Sequence, residues 1–297
     1  MTTAITTTAQ IALTARARLG ECPVWDAKRQ RLFWVDVYNH RVHQFDPATG
    51  TDRYVDTGDV VSALVLTQDD RLLIALGNRL AYLDLDSGAV ETLCQVEFPH
   101  PDTRFNDGKC DPQGRFWIGS VSQVPEQATL YRYDPDGRLE LMETGLTISN
   151  GLGWSPDGAT FYLTDSAPHK IYAYDFEGET GQIRNRRVLI DLSPEEVEPD
   201  GLTVDQQGNI WTALWNGWAL ACFDAQGQEL QRLKLPVQRP TSVTAGGADL
   251  TDFYITSASV GLSQQEIQQG FYAGDLFQFA APVAGLPTQR FGKAFSK

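Results

Sequence analysis

Valine, isoleucine, leucine and aromatic residues fall in short runs along this chain, each closed by Asp, Gly, Pro or Asn. Such runs read as β-strands joined by tight turns. No long segment places apolar residues at the 3.6-residue spacing of an amphipathic helix. The one helical signal is Ser193-Pro194-Glu195-Glu196, which predicts a single turn of helix.

The runs repeat. A unit of apolar pair, turn and aromatic-rich strand reads PVWDAKRQRLFWVD from Pro23, LVLTQDDRLLIAL from Leu64 and GKCDPQGRFWIGS from Gly108. It returns as LGWSPDGATFYLTDS from Leu152, LTVDQQGNIWTAL from Leu202 and, in degenerate form, VTAGGADLTDFYITS from Val243. The residues that open the turns are Asp26, Thr67, Asp111, Ser155, Asp205 and Gly246, at intervals of 41, 44, 44, 50 and 41. Most units add a third strand that ends in an aromatic-Asp step, as in VHQFDPATG and LYRYDPDG. Six units, each with room for four strands, predict an all-β protein: a six-bladed β-propeller of four-stranded antiparallel blades. Residues 1–297 read as one domain. QIALTARA near the start and GDLFQFAAP near the end supply strands that would close one shared blade, leaving no open sheet edge at the seam.

In a propeller the first strand of each blade lines the central channel. Five residues before each anchor stand Glu21, Ser62, Asn106, Asn150, Asp200 and Thr241, all with a side-chain oxygen. Nearer the anchors, the set Val24, Val65, Lys109, Gly153, Thr203 and Thr244 is mixed. Taken singly, Glu21, Asn150 or Asp200 could cap a turn or bridge blades through water. Taken together, two carboxylates, two amides and two hydroxyls at one level call for a divalent cation, because buried unpaired carboxylates are costly and repel one another. An oxygen-only set suits a hard ion such as Ca²⁺, Mg²⁺ or Mn²⁺. In SNGLGWSPDG, therefore, only Ser155–Gly158 is read as a turn.

Composition narrows the function. The 297 residues are 42% apolar and 21% charged, ordinary for a globular protein with a substantial core. The net charge of −14 disfavours nucleic acid and anionic membrane as partners and attracts cations. Cys22, Cys94, Cys110 and Cys222 form no CxxC pair and read as reduced thiols; His40, His43, His100 and His169 lack metal-site spacing. No secretory leader or membrane-length apolar run is evident, so a cytoplasmic protein is expected.

Four stretches, LGECPVW, RFNDGKCDPQGRFWIGS, SNGLGWSPDG and EPDGLTVDQQGNIWTA, resemble the regucalcin (senescence marker protein)/gluconolactonase family, and most closely its bacterial-type sugar lactonases. RPTSVTAGG…FYITSA extends the likeness, which spans residues 20 to 258. The resemblance implies a six-bladed propeller and one divalent metal ion (Ca, Zn, Mn, Mg or Fe). Its metal ligands match Glu21, Asn150 and Asp200, in agreement with the ring found by counting. Its substrate-contacting arginine and asparagine match Arg104 and Asn106, and its lid glutamate falls approximately on Glu126 in the short loop VSQVPEQAT. It implies hydrolysis of a sugar-acid lactone, such as a glucono-, xylono- or arabinonolactone; a propeller of this size is expected to be a monomer or weak homo-oligomer. Asp200 is the candidate general base. Asp107 is read as a structural hydrogen-bond acceptor. Trp215 and Trp218 are read as core, with an apolar wall beside the Asp200 blade as the other reading. Two rival functions share the fold: an organophosphate or aryl-ester hydrolase, and a non-catalytic calcium-binding or interaction propeller.

Overall fold

A computed structural model describes residues 8–270 and 272–292. Residues 1–7, the stretch in which a leader would begin, and the last five residues of the 1–297 domain reading lie outside that description.

Six four-stranded antiparallel sheets form a ring. The inner strands are Gly20–Asp26, Val61–Leu66, Arg104–Cys110, Ser149–Trp154, Glu198–Val204 and Pro240–Gly246. All six run along the central channel and are mostly buried. The strand Gln10–Leu13 pairs with Leu276–Ala280 as the outermost strand of the last blade, so the two ends of the chain close the ring as expected.

The repeated turn has a local cause. The Asp111 carboxylate accepts the backbone N–H groups of Gln113 (2.9 Å) and Arg115 (3.0 Å) and the indole N–H of Trp117 (3.0 Å). Asp205 does the same for Gln207, Asn209 and Trp211. One buried carboxylate thus folds the hairpin and orients the tryptophan six residues on. Those tryptophans then pack across blade boundaries: Trp117 lies edge-on to Trp154 at 6.0 Å, and Trp211 edge-on to Phe253 at 5.5 Å.

The expected helical turn at Ser193–Glu196 is a hydrogen-bonded turn, Glu195 N–H to Leu192 C=O, and not helix. A new strand begins at Glu198, so the chain has no room to wind. The α-helix among the described residues is Gln264–Gln269, capped by a reciprocal Ser263–Glu266 box. Ile267 is its only apolar residue, so it carries no periodic signal. No helix among the described residues is long and apolar enough to cross a membrane.

Candidate active site

Every inner strand carries a β-bulge at the level of the predicted ring. Pairing with the second strand skips between Glu21 and Val24, Val61 and Ala63, and Phe105 and Gly108. It skips again between Ser149 and Leu152, Pro199 and Leu202, and Pro240 and Ser242. A bulge re-aims the side chains it contains; Ser62, Asn106, Asn150, Asp200 and Thr241 lie within theirs, and Glu21 immediately precedes its own. At Cys22 the backbone enters the left-handed region (φ 46°) directly after Glu21, held by Leu64 N–H donating to Sγ at 3.3 Å. A non-glycine residue in this conformation costs on the order of 1 kcal/mol, a strain typical of functional sites. Other bulges use glycine for closeness: a Cβ on Gly151 would sit 2.6 Å from the Asp200 carbonyl oxygen, and one on Gly201 would sit 2.1 Å from Ser242 Oγ. Adjacent inner strands therefore touch at the ring.

The six ring positions divide into two groups. Thr241 Oγ1 donates to Gly20 C=O at 2.5 Å and ties the last blade to the first. Asn106 Nδ2 donates to Ser149 C=O at 3.0 Å, while its Oδ1 accepts from Arg104 Nη1 at 3.1 Å. By contrast, Glu21 Oε2, Asn150 Oδ1 and Asp200 Oδ1 are buried with no hydrogen-bond partner among the described residues, as is Ser62 Oγ. The three residues named as metal ligands are thus the ring's acid and amide members with an unused oxygen. Asn150 cannot turn that oxygen away. Its Nδ2 donates to Ser166 Oγ at 3.1 Å, and Ser166 Oγ spends its own proton on Pro199 C=O at 2.7 Å.

The electrostatics point the same way. Burial holds the Glu21 carboxyl well above its ordinary range, and the charges of Asp200 and Asp107 raise it further, against the Cys22 N–H and Arg104. Burial likewise raises Asp200, then Asp107 and Glu198; the Asn150 amide and the Gly201 N–H offset part of this. A cation between Glu21 and Asp200 would relieve both. Among the described residues no three His, Cys, Asp or Glu side chains cluster as a metal site; the third donor here is an amide oxygen, and the three unpartnered oxygens suit a hard divalent ion.

Asp107 does more than the structural acceptor role expected of it. It accepts the Gly108 N–H at 2.8 Å, but its charge also acts on Glu21 and Asp200, and it faces Lys109. Burial lowers the Lys109 ammonium, which donates to Leu202 C=O at 2.7 Å. Lys109 marks the far end of the channel. There a cavity of about 300 Å³, lined by Val24, Val65, Lys109, Thr203 and Thr244, is covered by Leu286–Gln289. It belongs to the hairpin side, away from the acid–amide ring.

At the opposite mouth stand Arg104 and the loop that bears Glu126. Arg104 pairs in register with Val121, where that loop departs; Glu126 is exposed, and its N–H donates to Thr147 Oγ1 at 3.0 Å. Trp215 packs against the core, as read, but Trp218 does not. Trp215 is half-buried beneath the Arg239 guanidinium, 4.8 Å from ring to Cζ, and Trp218 is 38% exposed. Ser166 and the bulge-forming Cys22 escape a reading of the sequence. Ser166 acts through a cross-strand contact that no spacing encodes, and Cys22 looks like an ordinary buried thiol.

Fold and site together define a six-bladed propeller with an acid–amide ring in its channel. Residues 19–259 match the family described as the SMP-30/Gluconolactonase/LRE-like region, and the chain belongs to that family. It is 36% identical to regucalcin of Gallus gallus over 285 residues, covering 93% of this chain and 95% of that one. It is 35% identical to the pentonolactonase XacC of Haloferax volcanii, covering 92% and 94%. In structure it superimposes on a calcium-binding protein, regucalcin, from Agrobacterium tumefaciens with a TM-score of 0.92 at 24% identity, covering 96% and 98%. At that identity the likeness speaks to the fold.

Proposed function

We propose that the protein hydrolyses a sugar-acid lactone, of the glucono-, xylono- or arabinonolactone class, to the free acid at a divalent ion. The observation that carries this reading is the trio of unpartnered buried oxygens on Glu21, Asn150 and Asp200 in a chain whose relatives include a pentonolactonase. These three residues would hold the ion. A bound divalent cation supplies Lewis acidity toward a carbonyl oxygen.

The chain's own residues do the rest. Arg104 orients the lactone: Asn106 and the Phe105 carbonyl hold its Nη1 (3.1 and 2.8 Å), leaving Nε and Nη2 to donate to substrate hydroxyls or the ring oxygen. Asn106, fixed by Ser149 C=O, keeps that guanidinium in place and borders the substrate. Asp200 takes the proton of the attacking water at a carboxylate oxygen. Burial favours this by raising its proton affinity, and a neighbouring cation tempers it. The water oxygen bonds to the carbonyl carbon, the ring C–O bond breaks, and the proton held by Asp200 passes to the ring oxygen, which leaves as a hydroxyl. Glu126 approaches the substrate from the loop over the mouth.

We take residues 1–297 as one propeller unit, acting as a monomer or weak homo-oligomer without nucleic-acid or membrane partners. Four free cysteines suit a reducing cytoplasm. The test is acid release from a panel of five- and six-membered aldonolactones by chelator-treated protein, before and after adding single ions. Metal-dependent hydrolysis supports the reading, and its absence across the panel rejects it.

A further inference from the structure

Three guanidinium groups at the mouth have no carboxylate partner among the described residues. Twelve of the eighteen arginines in this acidic chain are ion-paired. Arg18, Arg104 and Arg239 are not, yet contacts connect them. Arg104 and Arg18 share the Tyr38 ring, with Cζ at 5.8 and 5.6 Å from its centroid. The Arg18 carbonyl accepts the Val260 N–H at 2.8 Å, and the Val260 carbonyl accepts from Arg239 Nη1. Arg239 lies over Trp215 and donates Nε to Asn216 Oδ1 at 2.9 Å.

The arc sits one step outward from the acid–amide ring. Arg104 opens its inner strand and reaches Asn106 Oδ1 with Nη1 at 3.1 Å, and Arg239 immediately precedes the inner strand that carries Thr241. Arg104 acts electrostatically on Glu21, which ties the inner end of the arc to the reacting level. Arg18 is exposed, and its guanidinium has no protein acceptor among the described residues. Glu198 and Glu266 are close enough to Arg239 to be felt, but neither pairs with it. Elsewhere the fold neutralises most of its arginines. Here it leaves three guanidinium groups without a carboxylate, each with an Nη2 that has no protein acceptor among the described residues, and sets all three against aromatic rings. Guanidinium forks match carboxylate and phosphate oxygens in bidentate geometry.

We propose that this arc receives an anionic group on the substrate, a carboxylate or phosphate distal to the lactone carbonyl, so that the preferred substrate is an acidic sugar lactone. The inference rests on the lactonase reading. Its test compares kcat/KM for one neutral aldonolactone, the same ring with a terminal carboxylate, and the same ring with a terminal phosphate, at low and high salt. The expected result is a preference of about tenfold or more for an anionic ring, the worth of one charge-assisted hydrogen bond. That preference should shrink with salt and in Arg18→Gln and Arg239→Gln, and the two anionic arms show which group is taken. The open-chain diacid should also inhibit the unmodified protein more strongly than the monoacid, a readout independent of how the variants fold. Equal or better turnover of the neutral ring, with equal inhibition by both acids, overturns the proposal while leaving the lactonase reading intact. Failure of all three rings removes that reading and the proposal with it.

Discussion

Ser166 Oγ accepts the Asn150 Nδ2 proton at 3.1 Å while donating its own proton to Pro199 C=O at 2.7 Å. This relay decides which end of the Asn150 amide faces the channel. Ser166→Ala should free the amide to rotate, weakening divalent-ion affinity about tenfold, the usual scale for a residue that orients a ligand. The lost hydrogen bonds should cost about 1 kcal/mol of stability. Ion titration calorimetry and chemical denaturation of the same variant separate the two effects.

The ring carboxyls make stability depend on pH in an unusual direction. Folding raises the proton affinity of Glu21 and Asp200 above their ordinary values of 4.5 and 3.8. The folded state therefore binds more protons than the unfolded chain above those values, and stability falls as pH rises through the folded pKa values. The metal-free protein should melt at a lower temperature at about pH 8 than at about pH 5.5 on account of these groups. A saturating divalent ion should remove that decline, because it replaces the protons. Scanning calorimetry with chelator and with ion across this range checks both statements.

Gly201 is required by closeness. A methyl group there would overlap Ser242 Oγ at 2.1 Å and approach the Ser242 Cα to 2.8 Å. Gly201→Ala should destabilise the protein by about 1–3 kcal/mol, the scale of overpacking. It should also weaken ion binding, since Asp200 is the preceding residue. Gly158, in the hairpin turn that follows the inner strand Ser149–Trp154, is the contrast: a methyl group there would meet nothing within 4 Å, but φ is 67°. Gly158→Ala should therefore cost stability without changing ion affinity. Calorimetric ion titration of the two variants, beside their unfolding curves, tells the two cases apart.

Lys109 compensates Asp107 inside the channel. Lys109→Met removes the cation that offsets that buried carboxylate and the donor to Leu202 C=O, and should destabilise the fold by about 1–3 kcal/mol, the scale of a buried polar group that loses its partner. Adding Asp107→Asn should recover much of the loss. Denaturant unfolding of the two single variants and the double variant gives the coupling between them.

The propeller is legible in the sequence because its unit recurs and its turns open at regular intervals, with Asp111 and Asp205 also ordering a tryptophan. The level of Glu21, Asn150 and Asp200 is legible for the same reason: counting from a hairpin is a measure of height along the channel. What counting does not supply is direction. Asn106 and Thr241 stand at the same level, yet they bond across blades, because each bulge turns its side chain differently. Ser166, Tyr38 and Val260 reach the mouth from separate blades and loops, and no spacing along the chain brings them together. The helix Gln264–Gln269 goes unseen because its signal is a cap and not a period.

The central claim is that Glu21, Asn150 and Asp200 hold one divalent ion on which lactone opening depends. It is tested most directly by titrating single ions into chelator-treated protein while following acid release from an aldonolactone. Hydrolysis should rise in proportion to the ion and level off at one equivalent per chain, and Glu21→Gln and Asp200→Asn should stay folded yet show neither binding nor hydrolysis. Lactone hydrolysis that proceeds equally well without the ion, or that survives in both variants, would contradict the account.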